Sequence, residues 1–277
     1  MLASIRDAAM VALAPSSPLD KVLVTHPPVS GLAYYDISDA LEHINLRSWL
    51  ALKPEMPQGE VGWPVGYSMD KLAEAHAVMG TYGLGVCENY EKFYDCDKEE
   101  GPLPREKVMV AGLTEVDLRA EAIEVLGLID FFDKMEKMGE FIDLEAGLTS
   151  RHGFTSEKAY WNYVGSRLES LAKKLPTDLT RIMLVGENST HPTFLRTLRE
   201  AMERSGHGYL FNPGGVFDDR VSIRTGKDDS GMINPTFASA RGAAKYARRR
   251  QELELWPVCQ EGIEDALIEE ERGRLEL

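Results

Sequence analysis

With 277 residues, 43% of them hydrophobic, the chain can bury a substantial core as one large domain or two smaller ones. Its formal net charge of −14 repels nucleic acid and anionic membranes, which sets both aside as general partners. Cys87, Cys96 and Cys259 are too few and too scattered for a disulfide framework or a zinc site, so a reducing, cytoplasmic location is expected, without a metal.

In chain order, the N-terminal stretch reads as a short helix ending before Pro15. It lacks the pattern of a secretory or transit leader. No apolar run approaches the ~20 residues that span a bilayer. Lys21 to Thr25 has the composition of a buried strand, stopped by His26-Pro27-Pro28. Ile37, Ala40, Leu41 and Ile44 mark the apolar face of a helix that starts near Asp36. Residues 53–68 are rich in Pro and Gly and predict a loop, with at most one short strand around Val61 to Val65. Met69 to Met79 predicts a helix, broken by Gly80 to Gly85. Residues 87–106 are polar and acidic, and suit a linker or surface insertion.

Lys107 to Ala111 is a second buried strand. Leu113 to Leu128 fits either a helical stripe or a hairpin of two strands, and Phe131 to Leu144 fits strand or loop. Ser156 to Leu175 is an amphipathic helix. Ile182 to Val185 is a short buried strand, followed by a small polar turn and a helix with Pro192 in its first turn, capped by Thr190 or His191. Backbone N–H groups gathered at that helix start suit an anion or polar ligand, although an ordinary βα unit has the same outline. Residues 206–231 read as a long loop. Phe237 to Tyr246 is a helix with Asn234 as its cap and Pro235 at its first position. Residues 260–277 form a charged tail. Strands alternating with helices define an α/β protein.

Four stretches, in order, carry a resemblance. VLVTHPPVSGLAYYDISDALEHINL (22–46) is similar to a strand, a T-V-P turn and a helix ending in Gly-Leu. EAHAVMGTYGL (74–84) is similar to E-P-T-A-A-A-x-A-Y-G-L and keeps Glu74, Ala77, Tyr82, Gly83 and Leu84. VGENSTHP (185–192) resembles V-G-G-S-T-R-I-P. NPTFASARGAAKYA (234–247) resembles D-E-A-V-A-x-G-A-A, with Gly242 and Ala243 where that helix crosses its partner. The chain thus resembles the actin-like ATPase superfamily, specifically the nucleotide-binding domain of the seventy-kilodalton heat-shock chaperones. It looks most like the divergent chaperone-like proteins of fungi. The resemblance implies an actin-like, ribonuclease H-like α/β fold. Residues 1–104 would form a truncated first lobe, and residues 105–277 a nearly complete second lobe with an acidic tail. It also implies that Gly186, Asn188 and Ser189 are the remains of an adenosine-binding turn.

The departures bear on activity. The family's first phosphate hairpin, D-x-G-T-T, has no counterpart here. Its second, D-x-G-G-G-T, would follow Lys107 to Val110, where this chain has Gly112 in the Asp position and Thr114-Glu115-Val116 for the glycines. Valine and glutamate do not let a backbone approach phosphate as glycine does. Glu115 adds charge where a triphosphate would sit. Positioning and charge stabilisation for phosphoryl transfer are both lost. ATP hydrolysis and chaperone activity are therefore not expected.

His26, Glu74, His76 and His191 are the acid–base candidates within these motifs. Each has a purely structural alternative: a helix-start carboxylate for Glu74, hydrogen-bonding donors for the histidines. Trp63, Tyr67, Tyr82, Tyr90, Phe93 and Tyr94 cluster in the intervening sequence and serve either packing or an apolar pocket. The expected function is a degenerate ATPase fold that binds or converts a small apolar metabolite without cofactor, in the manner of an isomerase or cyclase. The alternatives are a non-enzymatic scaffold for a protein partner or nucleotide, and an ATPase completed by another chain. An interior-type strand at 21–25 without its neighbour needs cover, from a local segment such as 53–66 or from a second subunit in a homodimer.

Overall fold

The computed structural model describes residues 2–12, 19–29, 31–32, 34–48, 72–89, 95, 98–99, 103, 105–126, 135–211 and 233–252. Its centre is a four-stranded mixed sheet. β5 (Glu106–Leu113) and β6 (Leu118–Val125) form a hairpin, and β7 (Met135–Asp143) continues the meander on the far side of β6. β8 (Arg181–Val185) returns parallel to β5, so the order is β7-β6-β5-β8. The described part of the stretch, residues 113–126, is therefore a turn and a strand. Its alternation of Leu118, Ala120 and Ala122 with Arg119, Glu121 and Ile123 has the period of a sheet. The described part of the stretch Phe131 to Leu144 is likewise β7, with a register shift against β6 between Ala122 and Ile123.

Both sheet faces are covered, which is why β5 is apolar on both sides. On one face Met109, Ala111, Leu113, Leu118 and Leu184 pack against α4 (Glu157–Ala172) and α5 (Pro192–Arg204), through Tyr160, Val164, Leu168, Phe194, Leu198 and Met202. On the other, Val108, Val110, Ile123, Met183 and Val185 meet Ala75, Val78 and Met79 of α3 (Glu74–Tyr82) and Ala238 of α6 (Ala238–Glu252). At the start of α5, His191 is the cap, its Nδ1 accepting from Thr193 N–H, and at the start of α4 Ser156 Oγ accepts from Ala159 N–H. Asn234 Oδ1 accepts from Thr236 N–H, but it caps a short 3-10 turn, Pro235–Phe237, that precedes α6 rather than α6 itself.

α3 and α6 cross at backbone contact. A Cβ on Gly242 would lie 1.6 Å from the Ala77 carbonyl oxygen, so only glycine fits. Beside the crossing, Thr81 Oγ1 donates to the Ala238 carbonyl at 2.6 Å.

The N-terminal part is smaller. α1 (Leu2–Ala12) precedes β1 (Lys21–Val22) and β2 (Thr25–His26), which together take the place of the expected single strand. β1 pairs in parallel with β3 (Arg47–Ser48), and β2 with β4 (Leu72–Ala73). The cover of the 21–26 backbone among the described residues thus comes from 47–48 and 72–73. Pairing of 72–73 also delays α3, which begins at Glu74 rather than Met69. α2 (Tyr34–His43) buries Ile37 and Leu41, with Ile44 and Leu46 just beyond it, against Leu19, Val22 and Val24.

Cys87 is fully buried and disulfide-bonded, so it is a cross-link rather than a small apolar filler; its partner lies outside the described residues. Residues 53–68, where a loop is expected, residues 212–232, residues 253–277, Cys96, Cys259 and the aromatics Trp63, Tyr67, Tyr90, Phe93 and Tyr94 also lie outside them, as does most of 87–106. Among the described residues no helix is long and apolar enough to cross a membrane.

Candidate functional site

A cleft of about 710 Å³ opens where β1 and the following residues, the start of α3, the end of β8 and the exposed side of α6 converge. Val22, Leu23, Val185, Ala240, Ala243, Ala244 and Ala247 give it apolar walls. Lys21, Glu187, Thr236, Ser239 and Arg248 add polar groups, and Glu74 and Arg119 also line it.

Those last two form a buried charge cluster. Arg119 Nε donates to Glu74 Oε2 at 2.6 Å and Nη2 to Glu74 Oε1 at 2.9 Å, while Nη1 donates to Asp117 Oδ1. Ser239 Oγ donates to Glu74 Oε1 at 3.0 Å, which ties α6 to the same carboxylate. The cluster joins α3, β6 and α6, with Glu74, Asp117 and Arg119 buried and Ser239 half-buried. Desolvation works against the charge on Arg119, but the hydrogen bonds and charges of Glu74 and Asp117 outweigh it and raise its pKa above the ordinary value.

Glu121, two residues along the same sheet face, is also buried. Its pKa is raised to about 7, chiefly by desolvation, with Glu140 and Glu74 adding to the rise and Lys137 opposing it. Lys137 Nζ is 3.8 Å away and half exposed. A carboxyl whose folded pKa exceeds its unfolded value contributes stability that is complete below about pH 4.5 and lost as pH rises through about 7. Between those limits the wild type should lose up to about 3 kcal/mol relative to Glu121→Gln. Urea denaturation across that range checks this; parallel pH profiles for the two proteins would contradict it.

The phosphate-loop position has its own closure. Thr114 Oγ1 accepts from Val116 N–H at 3.1 Å and Asp117 N–H at 3.0 Å. Thr114 N–H donates to the Asp117 carbonyl, and Glu115 N–H to Glu187 Oε1 at 2.9 Å. All four N–H groups of the turn are thus engaged by the protein itself. At Gly112 a Cβ would meet Val185 Cγ1 at 2.9 Å and the Val185 carbonyl oxygen at 3.0 Å. An aspartate does not fit there while β5 and β8 keep their register.

Of the residues singled out from sequence, Glu74 and Gly186 line the cleft. Gly186 has φ 96°, the left-handed turn that leads from β8 toward α5. The 186–191 turn borders the cleft through Gly186 and Glu187. Asn188 Nδ2 instead donates to Glu115 Oε1, and buried Ser189 donates to the Gly186 carbonyl. His191 caps α5 and stacks on Trp161 with ring centroids 5.3 Å apart. His76 is buried against Tyr246, because it lies two residues beyond Glu74 on a helix and faces a different way. His26 is half-buried, with Nδ1 2.9 Å from the Pro27 carbonyl oxygen.

Sequence reading missed Arg119, Ser239 and Glu121. Arg119 and Glu121 carried a signal: charges at alternate positions of an otherwise apolar strand face either a buried partner or water. Ser239 carried none. Among the described residues no group of three or more His, Cys, Asp or Glu is placed to hold a metal ion.

No protein-family model matches the chain. A stretch of 71 residues, 26% of the chain, is 42% identical to the UDP-N-acetyl-alpha-D-muramoyl-L-alanyl-L-glutamate epimerase of Salinispora tropica. That match spans 14% of the length of the epimerase.

Proposed function

We propose that this chain is a degenerate relative of the actin-like ATPases, similar to the heat-shock chaperones, that does not hydrolyse ATP and whose cleft holds a small, largely apolar metabolite. A three-strand meander with a fourth strand parallel to its first supports the fold assignment. The observation that carries the functional reading is the closed turn at 114–117. A triphosphate needs backbone N–H groups pointing at it and a carboxylate to organise its magnesium. Here the N–H groups are spent on Thr114 Oγ1, the Asp117 carbonyl and Glu187, and Gly112 leaves no room for the carboxylate. The residues present do not fit magnesium–ATP.

What the cleft offers is a shaped apolar wall with a few fixed hydrogen-bonding groups, the usual makeup of a small-molecule site. Conversion without a cofactor, by isomerisation or cyclisation, needs little beyond shape and orientation. Glu74 is the one acid–base candidate on the wall. The epimerase match covers too small a part of that enzyme to transfer its reaction. Purified protein with magnesium and ATP is expected to release no phosphate above a heat-inactivated control; release above that control overturns the reading.

A further inference from the structure

In a regular strand, residues three apart point to opposite sides of the sheet. Lys137 and Glu140 of β7 nevertheless meet, the lysine Nζ donating to Glu140 Oε2 at 2.7 Å. The register explains the contact. Ala122 of β6 pairs with Gly139 and Ile123 pairs with Lys137, so Met138 is an extra residue on β7. This bulge returns Lys137 to the sheet face that carries Glu140. On that face Glu140 stands directly opposite Glu121 of β6. Like charges in directly opposed positions weaken a strand pair. The bulge gives the two carboxyl groups one cation to share, 2.7 Å from Glu140 and 3.8 Å from Glu121.

Their surroundings differ. Glu140 is exposed, whereas Glu121 is buried. On one side β5 places Val110 opposite Glu121. The charged groups acting on Glu121 are Lys137 and Glu140 of β7 and Glu74 of α3, and of these only the lysine favours its ionised form. Glu74 is already engaged by Arg119 and Ser239. β7 ends the sheet, with β6 as its strand partner among the described residues.

We infer that Glu121, Glu140 and Lys137 form a proton-operated latch that sets how firmly the edge strand β7 holds to the sheet. While Glu121 is protonated, Lys137 closes on Glu140 and no like charges oppose each other. Once Glu121 loses its proton, a buried anion faces Glu140, and one lysine does not neutralise both. Opening of β7 then brings Glu121 to water and relieves the strand pair. Because the folded pKa of Glu121 lies at about 7, above the ordinary 4.5, the latch is fully closed below about pH 4.5 and is lost as pH rises through about 7.

The test is amide hydrogen exchange of the full chain from pH 5 to 9, corrected for the intrinsic rate and read on residues 135–143 of β7 and 106–113 of β5. If opening returns Glu121 to an ordinary carboxyl, the opening constant of β7 should rise roughly seventyfold across that range and level off near pH 7. At pH 8 β7 should be clearly less protected than β5. Glu121→Gln should remove this rise. Glu140→Gln removes the opposing charge and frees Lys137 for Glu121, so the levelling-off should move down by about one pH unit. Lys137→Met removes the shared cation and should move it up by about as much. Both of these positions are exposed, so they carry the test if Glu121→Gln does not fold. Equal protection of β7 and β5 at pH 8 overturns the latch. So does a rise that persists in Glu121→Gln, or a levelling-off that Glu140→Gln and Lys137→Met fail to move in opposite directions.

Discussion

Gly242→Ala should destabilise the protein by about 3 kcal/mol or more, at the upper end of what overpacking costs. The added methyl would lie 1.6 Å from the Ala77 carbonyl oxygen and 2.8 Å from Thr81 Oγ1. Neither obstacle is the far end of a flexible side chain. Ala77 O is backbone in the middle of α3, and Thr81 Oγ1 is held on the Ala238 carbonyl. The helices must therefore part, and that opens the packing of Ala75, Val78 and Met79 on the sheet. Alanine's better helix propensity, about 1 kcal/mol, works the other way and is outweighed. The expected drop in melting temperature is roughly 6–12 °C, at 2–4 °C per kcal/mol for a protein of this size. Gly153→Ala is the control. Nothing lies within 4 Å of a Cβ there, so its stability should stay near that of the wild type. Calorimetry that finds Gly242→Ala and Gly153→Ala melting together would contradict the close crossing.

Much of this crossing was legible. The resemblance of 234–247 to the family's D-E-A-V-A-x-G-A-A helix puts Gly242 and Ala243 where that helix crosses its partner. The βα unit at 181–204 was equally clear, because a five-residue apolar run, a small turn and Pro192 each specify one local geometry. The β5–β6 hairpin was not. Leu118, Ala122, Val125 and Leu126 satisfy a helical stripe as well as a strand, and only pairing with β5 decides between them. The strand at 21–25 failed for a related reason. Its composition is that of an interior strand, yet β1 and β2 are cut to two residues each by partners at 47–48 and 72–73, far apart in sequence. The cleft was half legible. Glu74 and Gly186 were visible in their motifs, while Arg119 and Ser239 reach Glu74 from 45 and 165 residues away. Such contacts are set by the crossing of elements, which local pattern does not contain.

Arg119→Met should be as damaging as Gly242→Ala, for an electrostatic reason. Methionine keeps much of the volume, so the loss isolates the charge. Glu74 and Asp117 would remain buried, their side chains each about a tenth exposed, without the guanidinium between them. Ser239 Oγ still serves Glu74, and Thr114 Oγ1 still donates to Asp117 at 3.1 Å, but hydroxyls do not offset two like charges. Removing one partner of a buried ion pair costs about 3–5 kcal/mol, mostly from the charge left behind. The cause can be separated from lost packing. If stranded charge is responsible, the triple variant Arg119→Met/Glu74→Gln/Asp117→Asn should recover at least half of the loss, since no buried carboxylate then remains in the cluster. If lost packing is responsible, the triple variant will be no better than Arg119→Met alone. Urea denaturation of the three proteins at neutral pH decides it. A single variant within about 1 kcal/mol of the wild type would mean that the cluster is solvated and that Arg119 does not hold α3, β6 and α6 together at the cleft.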